Sequence, residues 1–269
     1  MSRRTRVLLV VLTALGLAVP ALLFVARYPR WWTWIAQEQV PMTWFQSVTL
    51  VVAGVVSLAA WWIARSTDVR PRAGLLLLAV GFAALAFDER FAVHERVRDR
   101  VLAPRDVRLP GLTWIAPGDF LLLLVALVGL ALLPVVIRSM GHERSPLLLL
   151  GLGVVLAVVS VGTDSVDPST WTVEGERIQQ SLEECVELWA GLAFVGAVTL
   201  RLMGLVDDLV RRATDRGRRA DERWQHAVTH RAERPVGPAR EQVDERGDRP
   251  TTAPSHEPTE APVGGALVP

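Results

Sequence analysis

Residues 120–136 read FLLLLVALVGLALLPVV, seventeen consecutive residues with no charge and no polar side chain. At 1.5 Å per residue a helix of that length covers roughly 26 Å of a hydrocarbon core about 30 Å thick. Asp119 stands just ahead of the run as a candidate N-cap, and the Pro- and Gly-containing residues 104–118 read as a loop. Working outward, comparable blocks recur at 146–164 and 182–201 on one side, and at 73–92, 44–63 and 7–26 on the other. Only helices that satisfy their own backbone hydrogen bonds can fill such blocks in lipid. The expected fold class is therefore an all-α polytopic membrane bundle of six transmembrane helices.

The flanks of each block add detail. The first follows Ser-Arg-Arg-Thr-Arg, as a signal peptide would. It is about 20 residues long and lacks a small-x-small cleavage site, so it reads as a retained span. Trp31, Trp32, Trp34 and Trp44 crowd the first loop, and Trp61 and Trp62 close the second block, as interfacial aromatic belts do. The helical pattern of the third block continues through Leu102, which predicts a helix protruding from the bilayer. Thr172 or a neighbour is expected to start the last helix, which stays helical beyond Leu205 to about Ala232. The expected organisation is a six-span domain over 1–205, a cytoplasmic juxtamembrane helical segment over 206–232, and a disordered tail over 233–269, rich in Pro, Thr, Glu and Arg.

Composition narrows function mainly by exclusion. The chain of 269 residues is 51% hydrophobic with a net charge of +1, so no basic field argues for nucleic acid; the expected partners are membrane lipids. It contains no lysine, which excludes Schiff-base chemistry and a lysine nucleophile. Its single cysteine, Cys185, excludes an intrachain disulfide or a CxxC site. Of the histidines His94, His142, His226, His230 and His256, only His94 lies beside a block on the side of the acidic cluster described next, which argues against bis-histidine haem ligation. Thirteen arginines (3, 4, 6, 65, 70, 72, 138, 144, 211, 212, 216, 218 and 219) fall on the N-terminal side of the bundle, against eight (27, 30, 96, 98, 100, 105, 108 and 177) on the other. The positive-inside rule then places both termini in the cytoplasm.

With that topology the carboxylates collect at one level. Asp88 lies four residues short of the outer end of the third block, roughly 6 Å deep. Asp164 ends the fifth block, and Glu183, Glu184 and Glu187 open the sixth, while the cytoplasmic ends carry almost none. At 100° per residue, Gly81, Ala84, Asp88, Ala92, Glu95 and Asp99 share one stripe. Gly153, Ala157, Ser160 and Asp164 share another, and Glu176, Gln180, Glu183, Glu184, Glu187 and Gly191 fall within one arc. Small residues mark close helix packing in membranes, so these acids are expected to face the bundle interior.

Crowded carboxylates cannot all ionise unaided, which leaves raised pKa values, arginine partners or a bound cation. The run Phe87-Asp88-Glu89-Arg90-Phe91-Ala92-Val93-His94-Glu95 offers oxygen ligands and one imidazole. With Glu184 and Glu187 it makes a donor set suited to Mg, Mn, Fe or Zn. In the metal reading Asp88, Glu95, Asp164, Glu184 and Glu187 are ligands of a divalent metal ion, with His94 and Glu89 in catalytic roles; a metal-activated water then acts on a lipid or lipid-linked substrate at the outer leaflet. In the alternative readings the acids pair with Arg90, Arg96, Arg98, Arg100 and Arg177, or handle protons or ions in a non-enzymatic transporter or assembly partner. On a straight helix His94 falls about 120° from the Asp88 stripe.

An Asp-Glu…His-Glu span (Asp88, Glu89, His94, Glu95) joined to a Glu-Glu-x-x-Glu last span (Glu183, Glu184, Glu187) resembles a class of uncharacterised bacterial multi-pass membrane proteins over about residues 40–205, and that resemblance implies no particular activity. A weaker resemblance is to the alkaline ceramidase-like membrane hydrolases, which use a histidine–aspartate zinc site within a helical bundle; this chain has glutamates where their last span carries paired histidines.

Overall fold

The computed structural model describes residues 2–37, 39–107, 111, 120–164 and 172–232, with side chains there except at 164 and 227–232. Among the described residues the chain is helical and has no strand. The long helices are α1 (Arg3–Arg27), α3 (Pro41–Ser66), α4 (Ala73–Phe91), α6 (Phe120–Met140), α7 (Arg144–Asp164) and α8 (Val173–Ala232), with short turns α2 (Trp32–Ile35) and α5 (Val93–Val97) between them. Five of these, α1, α3, α6, α7 and α8, contain a stretch long and apolar enough to cross a membrane. The 19-residue α4 differs from them in carrying Asp88, Glu89 and Arg90 in its last turn. The protein is thus an all-α helical membrane bundle.

The local signals explain the boundaries. The Ser2 hydroxyl accepts the Thr5 N–H and caps α1, Pro41 starts α3 where its missing N–H costs nothing, and Gly141 at φ +81° separates α6 from α7. Thr172 Oγ1 accepts the Gly175 N–H at 3.1 Å and caps α8, as expected. The candidate cap Asp119, the loop residues 108–110 and 112–118, and the tail 233–269 lie outside the described residues.

Packing is carried by small residues. On α3, Ala53, Gly54, Ser57, Ala60 and Ala64 are buried, and a Cβ added at Gly54 would already touch the Ala79 carbonyl at 3.4 Å. Gly74 is tighter: its Cβ would lie 2.6 Å from the Val135 carbonyl, and its N–H donates to Ser139 Oγ at 3.0 Å, so α4 and α6 meet backbone to backbone. One apolar cluster joins Leu12, Val19 and Leu23 of α1 to Met42, Phe82, Leu188 and Leu192, while a second joins Ala60, Leu75, Val136, Met140 and Leu150 to Leu205. Outward, α6 exposes Leu124, Val125, Leu127, Val128 and Leu130, a surface suited to lipid.

The chain divides into two units, Met1–Gly217 and Arg218–Pro269. At the Arg-rich end of the first, Arg4 reaches Asp207 at 3.4 Å, Arg70 and Arg72 pair with Asp68, and Arg201 Nε donates to the Ser139 carbonyl at 3.1 Å. Asp68 and Glu143 show that this end is not free of acids; the guanidinium of Arg70, then that of Arg72, holds the Asp68 carboxyl below its ordinary range. In the second unit the described residues 218–232 are helical, with Arg218 Nε 3.8 Å from Glu222 Oε1.

Two expectations about α4 are corrected. The inward face is not the Gly81–Ala84–Asp88 stripe, because Gly81 and Ala84 are exposed while Leu75, Ala79, Phe82 and Ala86 are buried. Nearly every residue of α4 before Asp88 is apolar, so periodicity does not choose a face; the fit of Ala79 and Phe82 against Gly54 of α3 does. Nor does the helix continue past residue 92. Ala92 adopts φ 45° and ψ 50°, its N–H closes on the Asp88 carbonyl, and the chain restarts as α5, followed by a π-helical turn at Arg98–Leu102.

Candidate functional site

Three glutamates converge at the end of the bundle opposite the α1 N-terminus. Carboxylate oxygens of Glu89 (α4), Glu184 and Glu187 (both α8) lie within 4.8 Å of one another. The face of α4 that buries Leu75, Ala79, Phe82 and Ala86 runs on to residue 89 at i+3 from Ala86, which aims Glu89 inward. On α8, Glu184 is 8% exposed and is followed one turn later by the buried Leu188, so it belongs to the core-facing stripe. Glu187 sits three residues on and is half-buried.

Neighbouring helices supply hydrogen bonds to the two α8 carboxylates. Gln46 Nε2 of α3 donates to Glu184 Oε2 at 2.9 Å, to the Glu184 carbonyl at 2.9 Å and to Glu187 Oε2 at 3.3 Å. Ser160 Oγ of α7, only 2% exposed, donates to Glu187 Oε1 at 2.7 Å. The opposite end of the Gln46 amide is different. Gln46 is 3% exposed, and its Oε1 has no hydrogen-bond partner among the described residues. A buried acceptor left unmet costs about 1–3 kcal/mol, and buried polar atoms are nearly always satisfied.

A second constellation follows from the break at Ala92. Asp88 Oδ1 accepts the His94 backbone N–H at 2.8 Å, and Asp88 Oδ2 meets His94 Nδ1 at 2.6 Å. The wheel of a straight helix kept these two apart; the left-handed Ala92 brings them together. With Nδ1–H donated to the carboxylate, Nε2 is the basic nitrogen of the ring.

The residues expected as site members are therefore distributed as follows. Glu89, Glu184 and Glu187 come together, Glu89 as a carboxylate of the cluster itself. Asp88, next to Glu89 in sequence, forms a dyad with His94. Glu95 lies 3.5 Å from Arg98 NH2, as the ion-pair alternative expects of it. Glu183 accepts from Gln179 at 3.0 Å, and the side chain of Asp164 lies outside the described residues. Gln46 was missed. Its signal was present, since it is the one side-chain amide within the block 44–63.

Residues 5–202 match a family described as a domain of unknown function (DUF8692). No curated protein and no solved structure matches the chain.

Proposed function

The chain belongs to the DUF8692 family, a domain of unknown function, and we propose that it is a divalent-metal-dependent membrane hydrolase acting on a lipid or lipid-linked substrate at the outer leaflet. The observation that carries this reading is the convergence of Glu89, Glu184 and Glu187 within 4.8 Å inside an apolar bundle. Three carboxylates that close repel unless protons or a cation join them, and a doubly charged ion offsets most of that repulsion. Such an ion lowers the pKa of a bound water and so supplies a nucleophile at neutral pH. In this reading the ligands are Glu89, Glu184 and Glu187, Asp88 orients the ring, and His94 takes the proton released by the water. The water oxygen would form a bond to the substrate carbonyl or phosphoryl centre while the bond from that centre to the leaving group breaks, and the leaving group would take the proton that His94 had accepted.

The setting of the reading is a bacterial plasma membrane crossed six times, with both termini inside. It is supported by the excess of arginine at the α1 N-terminal end and by the length of α4, whose 19 residues rise roughly 28 Å. In that orientation the glutamates lie at the outer-leaflet end of the bundle, the level at which a lipid headgroup would meet them.

The test is hydrolysis of ester-, amide- and phosphodiester-linked lipids by the full chain in nanodiscs, with and without EDTA. Turnover of one class that EDTA abolishes, and that Glu184→Gln and His94→Ala lower by two orders of magnitude or more, is the expected result. Turnover indifferent to EDTA, or none with any class, overturns it.

A second reading has its own observation. Gln46 and Ser160 tie α3 and α7 to the α8 carboxylates, which stitches the bundle without any metal. On that basis the protein is a non-enzymatic membrane component whose acids serve packing or proton and ion handling.

A further inference from the structure

The unmet oxygen of Gln46 deepens the metal reading and rests on it. We propose that Gln46 Oε1 completes, with Glu89, Glu184 and Glu187, an all-oxygen site for a hard divalent cation of the Mg, Mn or Ca class. The acidic cluster alone would not make this case, because carboxylates gather at helix ends without binding anything. The independent observation is that a side chain 97% buried presents an acceptor with nothing to accept from among the described residues, on the same amide whose nitrogen touches Glu184 and Glu187. Oε1 and Nε2 sit on the same carbon, so the unmet acceptor lies beside the donor that holds Glu184 and Glu187.

The chemistry of the donor set decides the class of ion. Three carboxylates and an amide carbonyl are hard oxygen ligands, and among the described residues no thiolate or imidazole belongs to the group within 4.8 Å. His94 Nδ1 is engaged by Asp88, which places the imidazole in the dyad and outside the ligand set proposed here. The hydrogen bonds from Gln46 Nε2 and Ser160 hold the Glu184 and Glu187 carboxylates in place, as outer partners do for metal-ligating acids. Amide carbonyls are ordinary ligands for calcium and manganese and rare ones for zinc in structural or catalytic sites.

The experiment is Mn2+ binding to the purified full-length protein in detergent, read by loss of the free-ion electron paramagnetic resonance signal, with Mg2+ and Ca2+ as competitors. The expected result is one Mn2+ per chain, displaced by Ca2+ or Mg2+. Gln46→Leu weakens binding at least tenfold, Gln46→Glu keeps or strengthens it, and His94→Ala leaves it unchanged. Circular dichroism of each variant establishes that the helices persist, and the Glu variant keeps the result readable if the Leu variant fails to fold. If Mn2+ binds the Leu variant as tightly as the wild type, Gln46 is not a ligand, while the metal reading stands. Loss of binding in His94→Ala overturns the all-oxygen site in the same way. Binding of no divalent ion by the wild type overturns both. Binding through Gln46 without any lipid hydrolysis leaves this inference intact and removes the enzyme.

Discussion

Asp88 and His94 are six residues apart and joined twice, the carboxylate taking the His94 backbone N–H at 2.8 Å and the imidazole Nδ1 at 2.6 Å. The link exists because Ala92 turns left-handed and folds the chain back over the last turn of α4. One residue thereby ends a helix with its carbonyl, and with its carboxylate holds the start of the next and orients a ring.

Asp88→Asn keeps the size of the side chain and removes its charge. The expected outcome is a loss of about 1–2 kcal/mol of stability, the scale of a cap plus a charge-assisted hydrogen bond. Amide exchange is expected to quicken over α5, residues 93–97, and to stay unchanged in α3. Hydrogen-exchange mass spectrometry in detergent checks this, and unchanged protection of α5 would show that Ala92 holds the turn without Asp88.

Glu184→Gln and Glu187→Gln test whether the cluster acts as a unit. If one cation spans both carboxylates, either substitution removes most of the binding and the second adds little, a strongly non-additive pair. Melting temperatures of the two single variants and the double variant, with and without Mn2+, read the coupling. In the packing reading the shared Gln46 donor couples the two substitutions as well, so the deciding difference is the metal: there Mn2+ changes no melting temperature.

Gly74→Val probes the closest backbone approach in the bundle. A Cβ there would lie 2.6 Å from the Val135 carbonyl and 2.7 Å from Val136 Cα, neither of which is a flexible side-chain end. The expected cost is about 1–3 kcal/mol or more, with α4 and α6 forced apart. Gly81→Val, where nothing lies within 4 Å, is the matched control and should be close to neutral. Thermal unfolding of the two variants compares them directly.

Reporter fusions check the orientation. Fusions after Arg70 and Arg144 are expected to score cytoplasmic, and fusions near Pro110 and Asp167 external. An external score at Arg70 would reverse the membrane sidedness of the glutamate cluster and move its substrate to the inner leaflet.

How much of this was legible in the chain follows from where the information resides. The membrane bundle, the starts of most helices, the Thr172 cap and the helical run to Ala232 could be read from sequence, because block length, caps and proline act locally. The stripe of α7 that carries Gly153 and Ser160 was legible too, since small and polar residues there stand out from an apolar background. Two things depended on tertiary structure. The inward face of α4 is set by which side of a nearly uniform apolar helix meets Gly54 of α3. That contact rotates Glu89 into the cluster and exposes Gly81. The meeting of Asp88 with His94 depends on a left-handed alanine that no local propensity favours and that holds because a carboxylate stabilises the turn. Sequence determined that acids and one imidazole would lie near the same end of a helical membrane bundle. Which of them touch is a property of helix rotation and of one backbone reversal, and both are decided by packing over distances that no residue-by-residue reading contains.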